Sequence, residues 1–239
     1  MKKLLTVAFA GFCLMLSGQS VNQFDNNGKR HGIWEKKYEN GELRYSGQFE
    51  HGVEVDTFKF YFEDGSLKAL NVFRGKTGVA YSKQYGGEDK LVAEGIYKGT
   101  KRDSTWTFYD VNGNIIGRED YKNDIKDGKV ITYFPDGRIA EEFNYVDGIK
   151  DGPWKQFYGT GKPKIKGTYV DGKLHGEATY FDENGKVSVK GNFSKGLFHG
   201  NWYYFEGMDI EKKEVWRYGS MVSTTAPKES KETEKVDKE

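Results

Sequence analysis

Three histidines and three aspartates of this chain fall on one lattice. His31, His175 and His199 stand at multiples of 24 residues from one another, and Asp103, Asp127 and Asp151 share their register. His and Asp are the residue types of metal centres and acid–base pairs, so convergence is the first question. One such residue per repeat lines up along an edge of a stacked array and does not close on one ion. A turn-capping acceptor is the role in which the two types exchange freely. Gly75-Lys76-Thr77 resembles the end of a phosphate-binding loop, but Leu70 stands where the earlier glycine belongs and no helical pattern follows. No nucleophile recurs beside a base and an orienting acid. The sequence therefore predicts no catalytic residue, no metal ligand and no cofactor, and the chain is expected not to be an enzyme.

The other residues with chemical potential are rings, and they keep the same period. Three positions after the His/Asp column come Trp34, Phe58, Ser82, Trp106, Val130, Trp154, Ala178 and Trp202. Three further on stand Tyr61, Tyr85, Tyr109, Tyr133, Phe157, Phe181 and Phe205, with Lys37 in the first unit. A turn follows, Asn40-Gly41, Asp64-Gly65, Asn112-Gly113, Asp136-Gly137, Thr160-Gly161 and Asn184-Gly185, and then Leu43, Leu67, Leu91, Ile115, Ile139, Pro163 and Val187. Each unit closes on Phe49, Phe73, Tyr97, Tyr121, Tyr145, Tyr169 or Phe193. Asn-Gly and Asp-Gly between strand-like runs signal a β-hairpin, so the elements that position the rings are eight hairpins spanning residues 31–209. The fold class is all-β: an elongated single-sheet array of stacked antiparallel hairpins.

Register decides which columns share a face, because a one-residue slip flips every side chain. A two-residue turn would place the Trp column with the Leu and closing aromatic columns. A three-residue turn with a Gly bulge would instead join the Tyr61-to-Phe205 column to those two and move the Trp column across. Pro135-Asp136-Gly137 suits the second geometry, which is the one expected here. Gly47, Gly95 and Gly191 each precede a large residue in the next unit, Phe58, Trp106 and Trp202, and are read as room left for a ring; Gly167 and Phe143 break that rule. Unit three, with Ser82, Gly86-Gly87 and Asp89, is expected to bulge or loop out. In unit eight Asp209 and Glu211 replace the turn glycine and the Leu, as a cap that stops pairing would.

The 239 residues hold 37 Lys and Arg against 36 Asp and Glu, which gives no basic footprint for nucleic acid. Residues 1–20 have the charged start, short apolar run and small-residue exit of a signal peptide; the apolar run is too short for a transmembrane helix. Export to the periplasm or medium is the expectation. Cys13 is the only cysteine and lies in that leader, so the mature chain has no thiol for a disulfide or a thiolate site. Residues 26–218 form the repeat domain, and residues 219–239 are polar, mixed in charge and expected to be a disordered tail.

Read as a consensus, Gly-x-Tyr-x-x-Gly-x-x-His-Gly-x-Trp-x-x-Tyr-x-x-Asn-Gly-x-Leu, the unit resembles the MORN repeat, most closely its variant form known from bacterial proteins similar to the YwqK antitoxin family. Gly172-Lys173-Leu174-His175-Gly176 and Tyr180-Phe181-Asp182-Glu183-Asn184-Gly185 carry the match. The resemblance implies an extended sheet that binds other proteins, or lipid headgroups in some cases. The functional expectation is an exported, non-catalytic interaction scaffold, with an antitoxin or immunity protein that neutralises a toxin by direct binding as the alternative. A protein partner is expected first, with a carbohydrate or lipid headgroup also open. Under the bulged register the exposed binding stripe is Trp34, Phe58, Trp106, Trp154 and Trp202, flanked by Lys164, Lys166, Lys190 and Lys212.

Overall fold

The computed structural model describes residues 20–225, and they form one open antiparallel sheet of twenty strands. The expected signal peptide and residues 226–239 of the expected tail lie outside the described residues. Strands pair with their sequence neighbours throughout, as a meander of hairpins must. Among the described residues no α-helix forms; one short 3₁₀ turn covers Gly87–Asp89.

Two kinds of turn alternate. Inside a unit, as between Gly176–Phe181 and Val187–Ser194, the Gly185 amide donates to the Asp182 carbonyl at 2.9 Å and the Asp182 amide to the Lys186 carbonyl at 2.8 Å. Gly185 closes this three-residue loop at φ 87°, a conformation that costs other residues a steric clash. Between the later units the turn has two residues, both left-handed: Asp147 and Gly148 at φ 47° and 82°, Asp171 and Gly172 at 47° and 74°, Lys195 and Gly196 at 52° and 86°. Positive φ at both central positions is the signature of a type I′ hairpin, whose twist matches that of paired strands. Each such glycine also donates to the preceding unit, Gly148 to Lys126, Gly172 to Lys150 and Gly196 to Leu174, at 2.8, 2.9 and 2.8 Å. These bonds pin each of those units to the one before it.

The Gly-bulged turn is as the sequence predicts, yet the register built on it is reversed. After Phe181 pairs with Val187, Tyr180 pairs with Val189, so Ser188 is an extra unpaired residue. The same skip passes Arg44, Lys68, Val92, Ile116, Ala140, Lys164 and Glu211 in the other units. This second bulge cancels the slip made by the turn. The Trp column therefore shares its face with the closing aromatic column, and the Tyr61-to-Phe205 column lies on the other.

Three further expectations change. The His/Asp column does not cap hairpin turns as a rule; the residue after it, such as Ser104 at φ 61° or Gly200 at φ 70°, takes the left-handed conformation and bulges the strand. Asp151 does accept an amide hydrogen bond, from Asp171 at 3.2 Å, whereas His199 buries an Nδ1 with no partner. Unit three does not loop out of the sheet: Leu67–Phe73 and Val79–Tyr85 pair without a register shift, because Val79 is followed by no left-handed residue, and the departure is confined to its hairpin turn, where Glu88 and Asp89 are left-handed in a 3₁₀ turn over Gly87–Asp89. Finally, pairing does not stop at unit eight. Asp209–Arg217 pairs with Leu197–Glu206 and then with Ser220–Thr225, a strand inside the stretch expected to be disordered. Tyr218 and Gly219, at φ 47° and 84°, repeat the unit-joining turn, and Val222, Thr224 and Thr225 beyond it are β-branched strand formers.

Candidate binding faces

One face of the sheet holds the core. Phe58, Trp106, Trp154 and Trp202 are 2%, 1%, 9% and 2% exposed, and Trp34 is half-buried. The stripe expected to be open for binding is therefore packing, since its rings meet the closing aromatics edge-on. Phe49 lies 5.1 Å from Phe58, Tyr97 4.9 Å from Trp106, Tyr169 5.7 Å from Trp154 and Phe193 5.1 Å from Trp202. A single sheet has no second layer to cover these rings, so they cover one another and the backbone. An edge-to-face pair adds about 0.5–1.5 kcal/mol to the area it buries.

The backbone beneath has been cleared for them. A Cβ at Gly47 would stand 2.3 Å from the Phe58 ring, at Gly95 2.5 Å from Trp106, and at Gly191 2.1 Å from Trp202. The room-for-a-ring reading of those three glycines holds. Trp106 and Trp202 complete the contact by donating their indole N–H to the carbonyls of Ile96 and Asn192, each at 3.1 Å. Trp154, the exception, leans the other way. It stacks on Phe143 with ring centres 6.2 Å apart and planes 8° off parallel, approaches Gly167, and donates to the Glu141 carboxylate at 2.8 Å. The sequence reading missed a second row on this face, Phe60, Phe108, Tyr180 and Tyr204, two residues after the Trp column. The alternation Trp202-x-Tyr204 carried that signal.

The opposite face carries an uncovered ladder. Tyr61, Tyr85, Tyr109, Tyr133, Phe157, Phe181 and Phe205 are each half-buried. Their neighbours are ionic. Tyr81 and Tyr109 both donate to Glu94, each at 2.5 Å. Burial and the hydrogen bond to that carboxylate push both phenols up to about 12, and the two donated bonds hold Glu94 below the usual carboxylate range. Further along, the Arg118 guanidinium stands 5.8 Å from the Tyr133 ring centre and the Lys166 ammonium 5.3 Å from Phe181. Rings interleaved with charges of both signs present an amphipathic strip that suits a protein surface. Of the cations expected to flank the Trp stripe, Lys166 and Lys190 sit on this face, beside Phe181 and Glu177. Among the described residues no three His, Cys, Asp or Glu side chains are grouped to hold a metal.

Four of the repeats match the MORN repeat variant family, over residues 30–51, 126–147, 150–171 and 174–195. No curated protein matches the chain. The match covers MORN-variant units one, five, six and seven, while the stretch from 52 to 125, with Phe58, Ser82 and Trp106, runs between them unmatched. The unmatched units keep the hairpin, with pairing continuous from residue 43 to residue 122, but unit three changes both turns: a longer turn over residues 74–78 leads into it and a 3₁₀ turn over Gly87–Asp89 closes its hairpin.

Proposed function

We propose that the chain is a non-catalytic, exported interaction scaffold that holds a partner protein along the Tyr61-to-Phe205 ladder. The observation that carries this reading is the contrast between the faces: the Trp column is consumed by packing, while seven rings in register on the other face have nothing over them. The apolar leader at residues 1–20 supports export, and the matched repeats support a binding role. Neutralising a toxin by direct contact is the specialised form of this reading that the YwqK resemblance implies.

Photo-crosslinking from position 133 in the native host, with mass spectrometry of the adducts, tests the proposal. A single protein captured from position 133 and not from position 130 on the core face is the expected result. Loss of that capture in Tyr109→Ser with Phe157→Ser, at unchanged fold, completes it. Equal capture from both faces, or adducts of sugar or lipid alone, would overturn it, and retention of the mature protein in the cytoplasm on fractionation would remove the export part.

A further inference from the structure

The core face is interrupted at unit three by a polar residue, Ser82. Across the sheet the Trp row reads Phe58, Asn71, Ser82, Gly95 and Trp106 through successive pairings. Phe58 leans back over Gly47 and Trp106 leans over Gly95, so no ring of this row stands over Asn71 and Ser82. The adjoining row offers Ala69 and Gln84 at the same place. The result is a groove of about 560 Å³ with a floor of Ala69, Asn71, Ser82 and Gln84 and walls of Phe60, Phe73 and Tyr97. Its floor holds two buried oxygens with no partner, Asn71 Oδ1 and Ser82 Oγ, and Ser82 is completely buried. Lys36, Arg44 and Lys68 line the same groove against one carboxylate, Glu54.

We infer that this groove is a subsite for an aromatic side chain on an acidic peptide segment of a partner. The chain itself shows how such a ring is held: in units four and eight an indole lies over a small residue and gives its N–H to an oxygen of the preceding strand. In unit three that ring is absent, and the paired residues Asn71 and Ser82 stand where units seven and eight have Gly191 and Trp202. The three cations select acidic residues on either side of the incoming ring. The floor of the site lies on the face opposite the ladder; Tyr61 of the ladder is among the lining residues, and the inference does not depend on the ladder's role.

Calorimetric titration of the full mature chain with the blocked peptide Glu-Glu-Trp-Glu-Glu tests this. Saturable binding is expected, weakened about tenfold or more when the peptide's Trp becomes Ala or its Glu residues become Lys. Asn71→Gly with Ser82→Trp rebuilds the Gly191–Trp202 arrangement in unit three. It should abolish binding while the melting temperature stays level or rises. Should that variant not fold, Arg44→Glu with Lys68→Glu should lose the acidic peptide and leave the melting temperature in place. Undiminished binding by whichever variant folds, no saturation by the acidic Trp peptide, or preference for a neutral oligosaccharide over that peptide would overturn the inference.

Discussion

Trp106 and Tyr109 are three residues apart on one strand and face opposite ways. The first is 1% exposed, wedged over Gly95 and against Tyr97; the second is half-buried with its hydroxyl bound to Glu94. Both belong to columns of rings at the same period, and composition alone does not tell them apart. The difference lies in what stands opposite on the neighbouring strand. Where that residue is glycine, a ring lies flat on the backbone and is lost to water. Where it is a charged or longer side chain, the ring stands up and keeps one surface free. A one-layer sheet thus obtains a core and a binding face from the same residue types.

Removing rings from the core face should break this arrangement most. Trp106→Ala or Trp202→Ala should cost about 3–5 kcal/mol in chemical denaturation, because each ring is almost wholly buried. Position in the array suggests that Trp154, in the middle, matters more than Trp202, near the end. The strand Ser220–Thr225 and the contacts of Trp202 with Phe193 and Phe198 reverse that expectation: Trp154→Ala should cost no more than Trp202→Ala. A markedly larger loss at Trp154 would show that distance from the end governs stability and that packing does not.

Filling the space beneath a ring should come next. Gly191→Ala puts a methyl 2.1 Å from Trp202, so the ring must lift or the strands part, at about 1–3 kcal/mol. The same change at Gly117, whose Cβ would meet only a backbone oxygen at 3.5 Å, should be far milder in thermal melts. On the ladder face, Tyr133→Ser should lower stability by about 1 kcal/mol or less, since that ring already contacts water.

The smallest expected effect is electrostatic and depends on pH. Glu94 is held below its unfolded value, so its contribution is present above the ordinary carboxylate range and is lost as pH falls through the folded value. Tyr81 and Tyr109 are raised from 10.0 to about 12, so theirs is present below pH 10 and is lost as pH rises through that upper value. Glu94→Gln should flatten the acid limb of melting temperature against pH and bring the ultraviolet titration of the two phenols closer to 10. An unchanged phenol titration would separate Glu94 from them.

Much of this was legible in the residues. The period of 24, the hairpin, the Gly-bulged turn at Asn184-Gly185 and the ring-over-glycine contacts at Gly47, Gly95 and Gly191 follow from residue types whose conformational demands are local. Which face is core did not follow. It depends on one unpaired residue per unit, Ser188 and its counterparts, and those positions hold Arg, Lys, Val, Ile, Ala, Ser and Glu with no shared chemistry to announce a bulge. A slip of that size moves the whole Trp column from solvent to core. Ser82 was visible as a departure from the repeat, but the groove is made by the coincidence of Ser82 with Asn71 and Gln84 across paired strands, which needs the register first.

Hydroxyl-radical footprinting of the folded chain, read residue by residue in the mass spectrometer, tests the face assignment most directly. The account predicts that Tyr109, Tyr133, Phe157 and Phe181 are oxidised several times faster than Phe58, Trp106 and Trp202, after correction for intrinsic reactivity. The opposite order, with the Trp column labelled and the Tyr61-to-Phe205 column protected, would contradict it and restore the register in which the Trp stripe is the exposed surface.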